Sequence, residues 1–322
     1  MTTALAGIGA LAALTPIAGP ALAQQYPARP VTLVVPFPPG GVADTVGRPV
    51  ADALGRYLGQ SVVVENRSGA GGGIGMAHAA KASPDGYTLL LALSSITIIP
   101  EADKVLQRSP MYQLNQLVPI ARFTADPTVL AVRADSPWQT YADFIADARA
   151  RPGALTFGSS GNYGTMHVPM EMLKQATGTF MVHVPYTGAG PAIVGLLGEQ
   201  VDALATGPAT VVQHVKSGKL RVLAHWGTGR LAALPDVPSL TELGARVTFS
   251  QWAGLFAPAG TPGPVIDGLR DASRKAAADE KVIRTIGTAG TPIQYLDAAE
   301  FAQFVAADAK VMAKVVQRIG KQ

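Results

Sequence analysis

The 322-residue chain contains no cysteine, which excludes disulfides, thiolate catalysis and cysteine-based metal sites. It also has little charge: 15% of the residues are charged, and 26 basic against 22 acidic residues give a net charge of +4. The basic residues are scattered, with no run or aromatic-interleaved stripe, so nucleic acid is not an expected partner. Because 48% of the residues are apolar, we expect a well-packed globule, and the length favours two lobes over one.

Charge is absent altogether from the first 25 residues. An Ala/Leu/Ile-rich core is followed by Pro16 and Pro20, and Ala21 and Ala23 form an A-x-A cleavage site. This pattern predicts a secretory signal peptide (residues 1–23) cleaved after Ala23, although no Lys or Arg precedes the apolar core. A membrane anchor is the alternative, but two prolines and many small residues make it weakly hydrophobic for a spanning helix. No later run is long enough to cross a bilayer, so we expect a soluble, exported protein.

Familiar catalytic and cofactor motifs are also missing. The glycines of Gly69–Gly75 are not spaced as G-x-G-x-x-G, and Gly218-Lys219 is followed by Leu220, so no P-loop is present. His167 and Glu171 are four residues apart and could form a metal pair, but a structural contact between them is favoured. We therefore predict no cofactor and no metal site.

A serine hydrolase stays open as a minor alternative. Ser159, Ser160, His167 and Asp202 fall in the same half of the chain. The G-x-S-x-G elbow is missing and the order is Ser, His, Asp, although triads occur in several orders. The favoured interpretation has no catalytic residues.

What the chain does contain is a pair of similar strand–turn–helix signals. One spans Val31 to Asp44 and the other Leu155 to His167, each with a turn rich in Gly, Pro or Ser. A helix N-terminus has unpaired N–H groups and the positive end of the helix dipole, so each turn can hold an anion without a cationic side chain. One such turn in each lobe predicts a cleft that binds a small acid from both sides.

Strands alternate with helices along the chain, which predicts α/β lobes with parallel sheets. Two extended segments, Val118–Arg133 and Phe249–Ala257, are predicted crossovers between the lobes. The predicted domains are therefore a discontinuous first lobe (24–122 and 254–322) and a second lobe (123–253). The helices after Pro264 are expected to pack onto the first lobe.

Several stretches, in order, resemble the Bug-type substrate-binding proteins of tripartite tricarboxylate transporters. They are Tyr26–Pro30, Val34–Gly41 with Asp44, Val64–Arg67 with the glycine loop, Pro84–Thr88, Gly158–Gly161 with His167 and Glu171, Val184–Tyr186 with Gly188, and Trp252–Pro262. The resemblance implies a two-lobed periplasmic-binding-protein-like fold, each lobe a mainly parallel sheet flanked by helices, joined by two crossover strands. It implies periplasmic capture of a small organic carboxylate or dicarboxylate and delivery to the membrane permease subunits. A monomer is the ordinary expectation for a hinged binder.

The resemblance also implies a set of ligand-binding residues, contributed by main-chain N–H groups and small hydroxyl side chains. From the first lobe they are Phe37, Gly40, Gly41, Val42, Ala43, Asp44, Ser94 and Ser95, and from the second Ser159, Ser160, Asn162, Tyr163, Thr165, His167, Tyr186 and Gly188. Gly40–Ala43 and Ser159–Asn162 are the predicted anion cradles. Asp44 is expected mainly to order its turn. Tyr163 replaces a small residue of the family pattern, and the sequence leaves open whether it lines the cleft or points outward.

The sequence does not separate transport from sensing. A ligand-sensing protein that presents its ligand to a signalling partner would have the same fold and the same cradles. N–H groups recognise a carboxylate but not the rest of the acid, so the identity of the ligand is not predicted either.

Overall fold

The computed structural model describes residues 26–321, so the predicted signal peptide and its cleavage after Ala23 lie outside the described residues. The strands of this range are β1 (Val31–Val35), β2 (Val62–Asn66), β3 (Thr88–Leu93), β4 (Leu117–Pro127), β5 (Val129–Arg133), β6 (Thr156–Ser159), β7 (Val182–Pro185), β8 (Ala203–Thr206), β9 (Leu220–His225), β10 (Ser250–Pro258) and β11 (Leu296–Asp297). The α-helices are α1 (Val42–Leu58), α2 (Gly73–Ala80), α3 (Ser95–Val105), α4 (Tyr141–Ala150), α5 (His167–Thr177), α6 (Ala189–Leu197), α7 (Pro208–Lys216), α8 (Gly263–Ala278), α9 (Glu280–Thr288) and α10 (Ala298–Ile319). None of these helices is both long and apolar enough to cross a membrane.

The strands form two sheets flanked by helices, and this confirms the predicted two-lobed α/β fold. The first sheet has the order β11-β4-β10-β3-β1-β2 and the second the order β7-β6-β8-β5-β9. Parallel pairing is confined to the strand–turn–helix repeats, β2-β1-β3 and β7-β6-β8. The remaining pairs are antiparallel, so each sheet is mixed rather than mainly parallel. The physical reason is that the predicted crossover segments are not only connections between the lobes. They contain β4, β5 and β10, which are strands of the sheets and pair antiparallel with their neighbours.

The chain passes from the first sheet to the second at Thr128, between β4 and β5. It returns through residues 226–249 to β10, which pairs with β4 over its whole length. The domain boundaries predicted at 122/123 and 253/254 fall inside these two strands, and the division of the chain into domains stays a prediction.

The C-terminal helix α10 packs onto the first lobe and also contacts the second, which the sequence did not predict. Phe301 and Val305 lie in the core of the first lobe, whereas Met312, Val316 and Ile319 lie in the core of the second. These residues recur at helical spacing and form one apolar stripe. A helix of 22 residues is about 33 Å long, and this length lets it contact both lobes.

Candidate functional site

The first cradle is the turn between β1 and α1. Gly40 has φ +84°, a left-handed conformation that a glycine adopts without strain. Gly41 is the N-cap of α1 and supplies no capping side chain, so no side-chain oxygen occupies the N–H groups of the first helical turn. Val42 and Ala43 are buried there. The result is a set of N–H donors at the positive end of a 17-residue helix.

Asp44 orders this turn through protein donors on its carboxylate. It accepts hydrogen bonds from Gly40 N (3.2 Å), Arg48 Nε (3.0 Å) and Asn66 Nδ2 (3.1 Å). Burial acts to raise the pKa of Asp44, but these hydrogen bonds outweigh it and hold the pKa below its usual value. Asn66 Nδ2 also donates to the carbonyl of Phe37 at 2.8 Å. Asp44 and Asn66 therefore hold the Phe37–Gly40 backbone in place.

Ser94 and Ser95 lie where β3 runs into α3, beside the end of the parallel strand β1. Both residues are buried, and their Oγ atoms have no hydrogen-bond partner among the described residues. Buried polar atoms in native proteins are nearly always paired, so two adjacent orphan hydroxyls indicate a place for a missing partner.

The second cradle follows β6, and its two serines behave differently. Ser159 Oγ accepts from Gly161 N at 3.0 Å and lies 2.5 Å from His183 Nε2, so this hydroxyl is used within the lobe. Ser160 is buried and its Oγ has no partner among residues 26–321. Burial, together with the nearby cation of Lys174, lowers the pKa of His183 to about 4 and keeps its ring neutral near pH 7. His183 is a supporting residue that is not among the predicted site residues.

Tyr163 extends from this cradle towards α10. Its backbone has φ +56° and its N–H donates to His167 Nδ1 at 3.0 Å. The side chain is buried, and its hydroxyl donates to the carbonyl of Gly320 just after α10. The Tyr163 side chain is therefore directed towards the C-terminal helix, and Tyr163 also lines the cavity of about 580 Å³ between the lobes.

His167 belongs to a structural cluster. Its ring centroid lies 4.2 Å from that of His183, and its Nε2 lies 3.6 Å from Glu171 Oε1, which also binds Lys174 Nζ at 2.7 Å. No group of three His, Asp or Glu side chains suited to a metal occurs in the described part of the chain. Ser160 and His167 do not form the hydrogen bond that the hydrolase alternative requires.

Gln251 joins the two lobes, and the sequence analysis missed it. It lies near the start of β10, in the first sheet, and its Nε2 donates to Thr165 Oγ1 of the second lobe at 3.1 Å. Its Oε1 has no described partner. A single buried amide at the head of the apolar run from Trp252 to Ala257 is the signal that could have identified it.

The lobes contact each other through glycines at the rims of the two cradles. A Cβ placed on Gly188 would lie 2.4 Å from Pro38 Cδ, and one on Gly161 would lie 2.8 Å from Gly71 N. Gly188 is the N-cap of α6, and Tyr186, just before it, donates its hydroxyl to Gln200 Oε1 at 3.3 Å. Only glycine allows the two lobes to come this close at these positions, so the lobes are in contact and the cleft between them is closed.

A cavity of about 580 Å³ lies at the edge of this contact. The glycine loop and α3 line it from the first lobe, and Asn162 and Tyr186 line it from the second. Neither cradle sequence, Phe37–Asp44 nor Gly158–His167, contains Lys or Arg. The two cradles and the β3–α3 junction therefore offer an anion backbone N–H groups at helix N-termini and the hydroxyls of Ser94, Ser95 and Ser160. Arg108, which is paired with Asp103, also lines the cavity from the first lobe.

Comparison with known proteins gives consistent matches over nearly the whole chain. Residues 46–321 match the tripartite tricarboxylate transporter family receptor. Protein BugT of Bordetella pertussis is 36% identical over 321 residues, which cover 99% of this chain and 98% of BugT.

Solved structures agree with the fold. The periplasmic binding protein BugD has a TM-score of 0.87 and 31% identity, with 92% of this chain and all of that chain covered. MatC of Rhodopseudomonas palustris, solved with bound malate, has a TM-score of 0.85 and 29% identity over 90% of this chain and 100% of its own. Another R. palustris protein, solved with adipate, has a TM-score of 0.85 and 28% identity over 91% and 98%.

Proposed function

The chain belongs to the tripartite tricarboxylate transporter receptor family of solute-binding proteins, and we propose that it captures a small organic carboxylate or dicarboxylate between its lobes. We further propose that it does so in the periplasm, after removal of residues 1–23, and delivers the acid to the membrane permease of such a transporter. In this role the protein binds its ligand without transforming it.

The observation that carries the proposal is the set of buried, unpartnered hydroxyls at the ends of two strands. Ser94 and Ser95 follow β3 in the first lobe, and Ser160 follows β6 in the second. Leaving a hydroxyl buried without a hydrogen bond costs about 1–3 kcal/mol. A carboxylate offers several lone pairs and can accept from donors of both lobes at once.

The strand register supports one shared site. Leu93 pairs with Ala253 of β10, so Ser94 and Ser95 lie towards the end of β10 that carries Gln251. Gln251 in turn contacts Thr165 of the second lobe, and a Cβ on Gly207 would lie 2.7 Å from its Oε1 and from Val42 Cγ2. Val42, Gln251 and Thr165 therefore connect the first cradle to the second.

The predicted site residues divide into two proposed roles. Direct ligand contacts are proposed for the N–H groups of Gly41, Val42 and Ala43 and for Ser94, Ser95, Ser160, Asn162, Thr165, Tyr186 and Gly188. Supporting roles are proposed for Phe37, Gly40, Asp44, Ser159, Tyr163 and His167, whose polar groups already contact other parts of the protein.

Malate and adipate, the acids in the two R. palustris structures, suggest dicarboxylates as the ligand class. Helix N-termini and hydroxyls suit a carboxylate at one end of such an acid, and the two-lobed cleft encloses the rest. The same chemistry would serve a sensing protein, and co-purification with permease subunits separates the two roles.

The proposal is tested by thermal-shift measurements on residues 24–322 with mono-, di- and tricarboxylates, followed by analysis of the acid after incubation. A ligand at 100 times its Kd should add about 2.7 kcal/mol to the free energy of unfolding. A stabilising acid recovered unchanged supports a binding protein. Consumption of the acid, or no stabilisation of a sample shown by native mass spectrometry to be free of ligand, contradicts the proposal.

A further inference from the structure

The C-terminal helix α10 is connected to Ser94, at the end of β3 in the first lobe, through a short series of hydrogen bonds. Asp308, on α10, has its Oδ2 2.6 Å from Thr97 Oγ1. Thr97 lies in the first turn of α3, and its Oγ1 donates to the carbonyl of Ser94 at 2.9 Å. Thr97 N donates to the same carbonyl at 3.2 Å. The position of Ser94 is thus linked, through Thr97, to a carboxyl group that lies 211 residues after Thr97 in the sequence.

The number of available protons determines which hydrogen bonds between Asp308, Thr97 and Ser94 can form at the same time. The Thr97 hydroxyl has a single hydrogen, so it cannot donate fully to both Ser94 O and Asp308. If Asp308 is protonated, its O–H donates to Thr97 Oγ1 and the threonine hydrogen is free for the Ser94 carbonyl. If Asp308 is ionised, it competes for that hydrogen, and the side-chain hold on Ser94 is weakened.

The surroundings of Asp308 favour the protonated form. Burial raises the pKa of Asp308, and this outweighs the opposing effect of its hydrogen bond with Thr97. No described Lys, Arg or His forms an ion pair with Asp308. A half-buried carboxyl group without a cationic partner keeps its proton to a higher pH than an exposed one.

The charged groups of the neighbouring elements are committed elsewhere. On α3, Lys104 is paired with Glu101 at 2.6 Å. On β4, Arg122 stacks on Phe304 at 4.6 Å and donates to the carbonyl of Gln294. Asp126, also on β4, and Asp308 line a second cavity of about 870 Å³, which residues 226–233 bound on the other side. Arg230, across that cavity, is paired with Glu242 at 2.9 Å.

We infer that Asp308 is a positioning residue for the ligand: as a protonated acid it fixes Thr97, and through Thr97 it holds Ser94 and Ser95 in the geometry that binds a carboxylate. The inference rests on the proposed function. Its consequence is that the protein binds its acid more weakly as pH rises through the range in which Asp308 ionises.

The test is the Kd for malate and adipate, measured by calorimetry from about pH 4.5 to 8, upward from the ordinary range of a carboxyl group, for the wild-type protein and Asp308→Asn. The asparagine amide donates to Thr97 at every pH and mimics the protonated acid. We expect the wild-type Kd to rise about fivefold across this range, the usual effect of one hydrogen bond, and the Asp308→Asn Kd to stay constant.

Asp126→Asn is the matched control. Asp126 is a buried carboxyl that lines the same cavity as the half-buried Asp308, with a pKa that burial raises to about 7, but no hydrogen bond joins it to Thr97 in the described structure. This variant should keep the wild-type pH dependence of binding. Thr97→Val, which cannot donate to Ser94, should bind weakly at all pH values, and its circular dichroism should show that it is folded.

The outcomes separate this inference from the proposed function. If the wild type binds and Asp308→Asn has the same pH profile, Asp308 does not act through its proton and the inference is overturned. If the ligand-free wild type binds neither these nor other organic acids, the proposed function itself fails.

Discussion

Replacing Ser94 with alanine should change stability and binding in opposite directions. In the ligand-free protein the Ser94 hydroxyl is buried without a partner, so its removal relieves a desolvation cost. We expect the free energy of unfolding to rise by about 1 kcal/mol, with a melting temperature about 2 °C higher. In the complex the same hydroxyl donates to a carboxylate, a hydrogen bond worth about 1.5–3 kcal/mol, so the Kd should rise about 10- to 100-fold.

The assay combines urea unfolding of the ligand-free protein with calorimetric titration of the acid identified by thermal shift. Ser160→Ala should behave in the same way from the second lobe. Ser273→Ala is the control, because Ser273 is also fully buried with an unpartnered Oγ but lies on α8. It should stabilise the free protein and leave the Kd unchanged. A Ser94→Ala protein that is less stable and binds normally would show that the Ser94 hydroxyl is neither unpaired in the free protein nor a donor to the ligand.

Three further variants test the geometry. Gly188→Ala should bind more weakly by tenfold or more, because its Cβ would lie 2.4 Å from Pro38 Cδ in the closed arrangement of the lobes that the structure has; Gly268→Ala, with open space around it, is the control in the same titration. In the wild type, the free energy of unfolding should fall as pH rises from about 4 to 7, because Asp126 has a pKa of about 7 in the folded protein against an ordinary value of 3.8, so that folding favours its protonated form. Asp126→Asn should abolish this fall. That difference corresponds to at most about 4 kcal/mol, measured by urea unfolding at several pH values. Tyr163→Phe should lose about 1 kcal/mol of stability in the same assay because the Gly320 carbonyl loses its donor.

Each of these variants has a contrary result. A Gly188→Ala protein that binds like the wild type would mean that binding does not require the observed contact between the lobes. A pH profile of stability shared by Asp126→Asn and the wild type would show that Asp126 is not held as an acid. A Tyr163→Phe protein as stable as the wild type would show that the hydrogen bond from Tyr163 to the Gly320 carbonyl does not stabilise the fold.

The strand–turn–helix units could be predicted from the sequence because their signals are local. The glycines and prolines of the first turn specify a β1-turn-α1 unit without tertiary information, and the structure has this unit, with α1 beginning at Val42.

What the sequence could not supply were contacts between distant segments. The bounds of α10 gave no sign that Met312, Val316 and Ile319 pack into the second lobe, because an apolar stripe does not name its partner. Ser159 and Ser160 are adjacent and chemically identical, yet only Ser159 meets His183. Their opposite directions follow from the alternation of side chains at a strand end, which is fixed by the register of β6 in its sheet.

The most direct test of the account is a crystal structure of the protein with the acid that stabilises it. We predict a carboxylate between the lobes, within hydrogen-bond distance of the N–H groups of Val42 and Ala43, the hydroxyls of Ser94 or Ser95, and that of Ser160. An acid bound to one lobe only, or at a site that none of these groups reaches, would contradict the account.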